Sequence, residues 1–365
     1  MNVTEDPFEE LHEAEFYVES VGQNAIYACG IVFNCLTLAA LRSLSVGENY
    51  RTCLRALTVT DLCACIAAVI NLTLEGAYFR GHMPFGYWHT PALFVYFAYY
   101  VFMLFMATSS FYVITIAVVR THTLRQPLKA IRVYTRHRLR RVCFIIFVVN
   151  CFLFLPTVLY GFWQNCYNDR EAPTCSAFYD RFPNADELKY YFYLMSVMFG
   201  PVVIVTNAVC LFLLRRALRK NQESASTTLN RRPVSVHKMA RRNWRMTRTL
   251  AVLLVLDIIW ILPTCIQFLG LAVSPEDTLF NSHDVGIKVF DLFAELLLAV
   301  RPTYNIFVYA ATNSCFRRKL RLLLCRCCVT CVAGATEGTN DLSMSQRPIP
   351  SVSLTTTSRT LECPH

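Results

Sequence analysis

Charge is scarce in this sequence: only 16% of the 365 residues are charged, whereas 55% are hydrophobic. A soluble domain carries about a quarter charged residues, and a core of this length cannot hide so many apolar side chains unless lipid is part of the solvent. The composition excludes a disordered chain and a small disulfide scaffold. Glycine, at 12 residues, is too sparse for a collagen-like repeat. The first 41 residues hold no lysine or arginine, and residues 1–20 lack the apolar core of a cleavable signal peptide. No internal repeat appears, which weighs against a transporter built from paired halves. There is no catalytic constellation, phosphate loop or metal motif, so an enzyme is not expected.

What the sequence has instead is length without charge. Seven apolar stretches run over residues 21–44, 52–77, 90–119, 142–163, 190–214, 246–271 and 286–310. Each is near or above the ~20 residues that cross the hydrocarbon layer as a helix. The third, fourth and fifth contain no Lys, Arg, Asp or Glu, a pattern suited to a membrane span rather than to a surface helix with one wet face. The predicted fold is an all-α membrane protein, a bundle of seven transmembrane helices over residues 21–312.

The basic residues predict its orientation. Of 35 lysines and arginines, 29 fall beyond one end of the spans, in the first and third connections from that side, the segment 215–248 and the tail. The opposite N-terminal end carries Glu5, Asp6, Glu9, Glu10, Glu13, Glu15 and Glu19. The positive-inside rule then puts the N-terminus outside the plasma membrane and the C-terminus inside. The net charge of +10 is thus a topology signal, and no nucleic-acid partner is expected.

Asn2, in N-V-T, is a candidate glycosylation acceptor outside, while Asn71, in N-L-T, falls inside the second span. Residues 313–325 place Phe316, Leu320, Leu323 and Leu324 at helical spacing among Arg and Lys, predicting a short amphipathic helix on the inner lipid surface. A cytoplasmic, disordered tail is expected over 326–365. Most of the 17 cysteines lie within spans, where Cys behaves as a small apolar residue. Cys325, Cys327, Cys328 and Cys331 at the membrane edge suit palmitoylation, with a zinc site the alternative. Cys166 and Cys175 lie in the outer connection between spans four and five, where a disulfide is permitted. Serines and threonines at 351–358 and 224–228 are candidate phosphorylation sites.

Several motifs occur in order. Asn34 stands in GIVFNCLTL and Asp61 ends LRALTVTDL; Arg120 is followed seven residues later by Pro127 and Leu128; Pro156, Pro201 and Pro263 interrupt spans four, five and six. The chain ends its last span with NIFVY, holding Asn305 and Tyr309, before Phe316 and Arg317. Over about residues 20–325 this resembles the rhodopsin-like G-protein-coupled receptors. The apolar residue in NIFVY looks most like divergent invertebrate peptide receptors, the FMRFamide-receptor type among them. The resemblance implies an extracellular ligand, most simply a peptide, a heterotrimeric G protein contacting Arg120, Pro127 and Tyr309, and arrestin at the phosphorylated tail. A transporter or channel, and a non-signalling scavenger of the same fold, are the alternatives.

The sequence also departs from that family. Val119 and Thr121 replace the acid and tyrosine flanking the inner arginine, which predicts raised basal activity. Val95 replaces the usual third-span disulfide cysteine, leaving Cys166 and Cys175 to pair with each other. Trp260 precedes the usual tryptophan place, and Ile306 replaces proline. The resemblance implies a sodium ion at Asp61 with Ser109 and Asn305 as helpers. Asp257 and Arg301 suggest instead that Arg301 bridges the two aspartates in sodium's place.

The ligand is expected between helices at the outer end. Asn71, Phe102, Met106, Tyr193, Phe268, Asp291 and Glu295 are its candidate contacts, the acids receiving a basic group. Phe102 stands where an amine receptor has aspartate, which weighs against amines. Lys288 and Asp291, on one helix face, are as readily a pair at the helix mouth.

Overall fold

The computed structural model describes residues 18–42, 48–79, 90–168, 186–227, 234–273 and 285–337. Among them the regular structure is helical, with no strand. A π-helical turn, Val18–Gln23, leads into α1 (Asn24–Arg42). The long helices α2 (Glu48–Phe79) and α3 (Thr90–Arg125) follow, then the short α4 (Pro127–Val133) and α5 (Arg136–Asn168). Beyond these come α6 (Asp186–Thr227), α7 (Val234–Val273), α8 (Val285–Val300), α9 (Asn305–Thr312) and α10 (Ser314–Glu337).

Among the described residues six helices are long and apolar enough to cross a membrane; the seventh expected span is divided between α8 and α9. Pro302 has no N–H for the helical ladder. Around it the chain tightens, Arg301 N–H bonding Leu298 O at 3.2 Å and Thr303 N–H bonding Val300 O at 2.9 Å, the i−3 pattern of a 3₁₀ turn. Pro156, Pro201 and Pro263, by contrast, lie within continuous helices, as membrane helices tolerate when neighbours bind the freed carbonyls.

Helix α3 is the central post, packing against α2, α5, α6 and α7, while α1 closes the bundle against α2, α8 and α9. Outward faces are apolar, with Phe144, Phe152, Val205 and Phe212 each more than half exposed, as lipid-facing surface should be. Within the spans, several threonine hydroxyls are satisfied by their own helix: Thr58 donates to Leu54 O at 2.8 Å and Thr108 to Leu104 O at 2.8 Å. Tyrosines tie α3 to α5, Tyr100 Oη donating to Cys151 O at 2.9 Å and Tyr112 Oη to Cys143 O at 2.8 Å.

At the basic end, Asn313 is extended (φ −122°, ψ 104°) and its Oδ1 accepts the N–H groups of Cys315 at 3.1 Å and Phe316 at 3.2 Å. This side-chain cap starts α10, and Phe316, buried, meets Tyr309 edge-on at 5.6 Å. The helix does not stop at Cys325 as its apolar spacing suggested but runs on through Gly334 to Glu337, with no proline in the segment to break it.

Candidate functional site

Three buried charges, Asp61, Asp257 and Arg301, lie in two neighbouring hydrogen-bonded sets inside the bundle. Asp61 on α2 is 1% exposed; Ser109 Oγ of α3 donates to its Oδ1 at 2.5 Å, and Asn305 Nδ2 of α9 donates to Oδ2. On its other side Arg301, from the α8–α9 turn, extends Nε to Asp257 Oδ1 of α7 at 2.8 Å, with both side chains buried. Its Nη1 donates to Met106 O of α3 at 3.0 Å and its Nη2 to Ser110 Oγ. Asn207 Nδ2 of α6 donates to the second oxygen of Asp257 at 2.6 Å. Near the turn, Asn34 Nδ2 of α1 donates to Pro302 O at 2.8 Å.

The bridge expected from sequence therefore forms on one side only. Arg301 pairs with Asp257, and its remaining donors go to α3 rather than to Asp61. The reason is the turn at Pro302, which projects the guanidinium between α3 and α7, while Asn305 on the next helix faces α2. Asp61 thus keeps neutral partners in hydrogen-bond contact and feels Arg301 at longer range. A carboxylate beside a hydroxyl and an amide is an oxygen-rich donor set of the kind hard cations take, so Asp61, Ser109 and Asn305 fit sodium. Asn207 and Ser110 were missed in the sequence; a lone amide six residues after Pro201 in an uncharged span was the available signal.

The family model for seven-transmembrane receptors of the rhodopsin family matches residues 34–309. The chain belongs to that family. It is a multi-pass plasma-membrane receptor, and not an enzyme. No curated protein matches it, and the family match does not support the FMRFamide-type subgroup expected from NIFVY.

At the receptor's basic end, Arg120 is 7% exposed, and its Nε donates to Thr247 Oγ1 of α7 at 3.3 Å. Two further bonds close that end: Thr249 Oγ1 to Thr312 Oγ1 at 2.7 Å, joining α7 to α9, and Asn221 Nδ2 of α6 to Leu124 O of α3 at 3.1 Å. Val119 is buried in the apolar core. Thr247, unnoticed in the sequence, thus holds the arginine from another helix. Pro127 begins α4. Tyr309 is buried, and its hydroxyl has no hydrogen-bond partner among the described residues.

Towards the other end, the candidate ligand contacts separate. Phe102 and Met106 are buried in an apolar cluster with Ala64, Ala68 and Ala299; Phe102 meets Tyr27 edge-on at 5.7 Å. They pack α3 against α1, α2 and α8, and Asn71 is likewise buried. Asp291 and Glu295 diverge: Gln267 Nε2 of α7 donates to Asp291 Oδ1 at 3.0 Å, whereas Gln23 Nε2 donates to Glu295 Oε2 at 3.1 Å. Each acid thus receives a neutral amide donor from a different wall.

The side chains of Tyr193, Phe268, Cys166, Cys327 and Cys328 lie outside the described residues, as do Asn2 and Cys175. Cys166 falls in the last turn of α5 rather than in the connection after it. Cys325 is exposed on α10.

Proposed function

We propose that the receptor binds an extracellular peptide and, on binding, activates a heterotrimeric G protein. The observation that carries this reading is buried Arg120, bonded at the basic end to Thr247 of α7, with Thr249 and Thr312 joining α7 to α9 at the same end. Such bonds break at modest cost, about 0.5–1.5 kcal/mol for a neutral pair and 1.5–3 for one to a charged group. Outward movement of α7 about Pro263 would part Thr247 from Arg120 and Thr249 from Thr312, opening a basic cavity beside the arginine for the G protein. Asp257 lies on the moving side of Pro263, so the ion pair with Arg301 is the costlier restraint and makes the switch two-state rather than graded.

The peptide assignment rests on Asp291 and Glu295, two carboxylates on one helix with neutral amide donors, together with the acidic N-terminus facing the same side. With the N-terminus outside, α10 and the tail lie inside. Phosphorylation of Ser351, Ser353 and Thr355–Thr357 would then supply arrestin's anionic contact, and acylation of Cys325 would anchor α10. A sodium ion at Asp61, Ser109 and Asn305 would supply the counter-charge that Arg301 leaves missing there, favouring the resting arrangement.

The test is guanine-nucleotide exchange on a panel of G proteins by the full-length receptor in nanodiscs, with and without basic peptide fractions. Peptide-dependent exchange is expected, lost in Arg120→Gln. Ligand-independent ion flux in reconstituted vesicles with no exchange on any G protein would overturn the reading in favour of a conduction pathway.

A further inference from the structure

Where α2 and α5 begin, a cleft of about 260 Å³ opens between them, lined by Glu48, Arg51, Thr52, Arg55, Arg136 and Arg140. Cys143 and Ala56 form its apolar roof. Arg51 and Arg55 are four residues apart, as are Arg136 and Arg140, so each helix turns a stripe of guanidiniums about 6 Å deep towards the other. Among the lining residues four arginines stand beside one carboxylate, Glu48, whose Oε1 meets Arg136 Nη1 at 2.6 Å, and Arg55 Nη2 reaches Leu41 O at 3.5 Å. Arg42 adds to the field, since it, Arg51, Arg136 and Arg140 all act on Arg55.

Two facing stripes of like charge repel unless an anion lies between them. The receptor's signalling reading gives this cleft no role, because it lies on the α2–α5 side, away from the gap beside Arg120 that α7 would open. Directly beyond the roof the surface is apolar and open to lipid: Phe144 and Ile145 on α5 are 66% and 57% exposed and Val59 on α2 is 46% exposed. An occupant of the cleft therefore meets guanidiniums at one end and hydrocarbon at the other.

We infer that this cleft binds a polyphosphorylated phospholipid headgroup, a phosphoinositide bearing monoester phosphates, with its acyl chains running along the exposed face of α5. Arginine forks match phosphate oxygens two at a time, and a monoester phosphate concentrates more charge than the single phosphodiester and carboxylate of phosphatidylserine. Basic pockets between transmembrane helices at the cytoplasmic face take such headgroups. The inference rests on the proposed topology, which turns the basic end towards the leaflet that holds these lipids.

The test is lipid retention by the full-length receptor in nanodiscs, counted by native mass spectrometry. The lipid is phosphatidylcholine doped with phosphatidylinositol bisphosphate, or with phosphatidylserine at equal headgroup charge. Wild-type receptor should retain the phosphoinositide preferentially. Each arginine neutralised should weaken it about fivefold, so Arg55→Gln with Arg140→Gln should weaken it roughly 25-fold. Arg55→Lys with Arg140→Lys should lie between, keeping charge but losing the forks, and Arg318→Gln with Arg321→Gln on α10 should leave the preference intact.

Thermal midpoints are read alongside. If the glutamine pair melts early, Arg140→Glu, at an exposed helix start, should give the same loss without it. Equal retention of phosphatidylserine, or an equal loss in the α10 variants, would overturn the site. Displacement by soluble inositol trisphosphate at the lipid's own concentration would overturn a lipid as its occupant, as would displacement by an acidic peptide. Both nanodisc faces carry the lipid, so failure to bind counts against the cleft alone, whereas failed nucleotide exchange counts against the signalling reading alone.

Discussion

Replacing Arg301 by methionine removes a buried guanidinium that bonds Asp257 at 2.8 Å, Met106 O at 3.0 Å and Ser110. What remains is Asp257, whose side chain is 2% exposed, with Asn207 at 2.6 Å as its one neutral donor among the described residues. Breaking a buried pair from one side costs about 3–5 kcal/mol, because an uncompensated charge is left in a dry interior. Asp257→Leu alone leaves the cation stranded and should cost a similar amount. The double variant carries no stranded charge. Ser110 keeps Met106 O, 3.4 Å away, as its own acceptor, so the main residue of damage is the unpaired amide of Asn207, about 1–3 kcal/mol.

The two single costs together therefore exceed the double cost by at least about 3 kcal/mol, far outside the few tenths expected of independent sites. The assay is unfolding of the three variants and wild type in nanodiscs, with basal nucleotide exchange measured on the same samples. Both singles should melt early and the double should recover most of the loss. Because the pair ties the inner half of α7 to α3 and the α8–α9 turn, the double should also show raised basal exchange despite its recovered stability. Additive destabilisation, or a double variant whose basal exchange equals wild type, would refute the argument that this pair restrains α7.

Thr247→Val keeps shape but removes the hydroxyl that accepts from Arg120 Nε, and should raise basal exchange about tenfold; the bond is long at 3.3 Å, so the change should fall at the low end of 1.5–3 kcal/mol. Since the hydrogen-bond partners of Asp61 among the described residues are the neutral Ser109 and Asn305, sodium should raise the receptor's thermal midpoint where potassium does not, an effect that Asp61→Asn should abolish. Gly30→Ala should destabilise by about 1–3 kcal/mol, read as a lower midpoint, because a Cβ there would lie 2.6 Å from Thr303 Cγ2 and 2.7 Å from Cys65 Sγ.

The bundle was legible because lipid enforces a simple rule: a span must be apolar for its full length, so uncharged runs mark helices and basic connections mark one face. Within the site, Asp61, Ser109 and Asn305 could be grouped from the order of motifs, and Arg301 with Asp257 from the cost of leaving either alone. Which acid Arg301 chooses was not legible. It depends on the turn around Pro302, where the i−3 bonds to Leu298 and Val300 interrupt the helix. The partners Gln23, Gln267, Asn207 and Thr247 were missed for a related reason. Their meaning depends on the vertical register of neighbouring helices, which packing sets and no single helix's periodicity contains.

That same break explains how a bundle can carry a buried arginine in its seventh span at all. An uninterrupted helix would place residue 301 one turn above Asn305 on nearly the same face, directing both side chains towards α2 and Asp61. One carboxylate would then be shared by a guanidinium and an amide, and Asp257 would be left with Asn207 alone. Tightening the chain over Arg301–Tyr304 rotates the two residues apart, so that the guanidinium meets Asp257 and the amide meets Asp61. Each acid then has its own partner, and within this polar site the two residues tie to different helices: Asn305 of α9 to α2, and Arg301 in the turn to α3 and α7. An activating movement of α7 must therefore act on the turn itself. Restoring a continuous helix through Pro302→Ala should weaken the Asp257 pair even though neither charged residue has changed, and a Pro302→Ala receptor with wild-type basal exchange and stability would show that the turn does not direct the arginine.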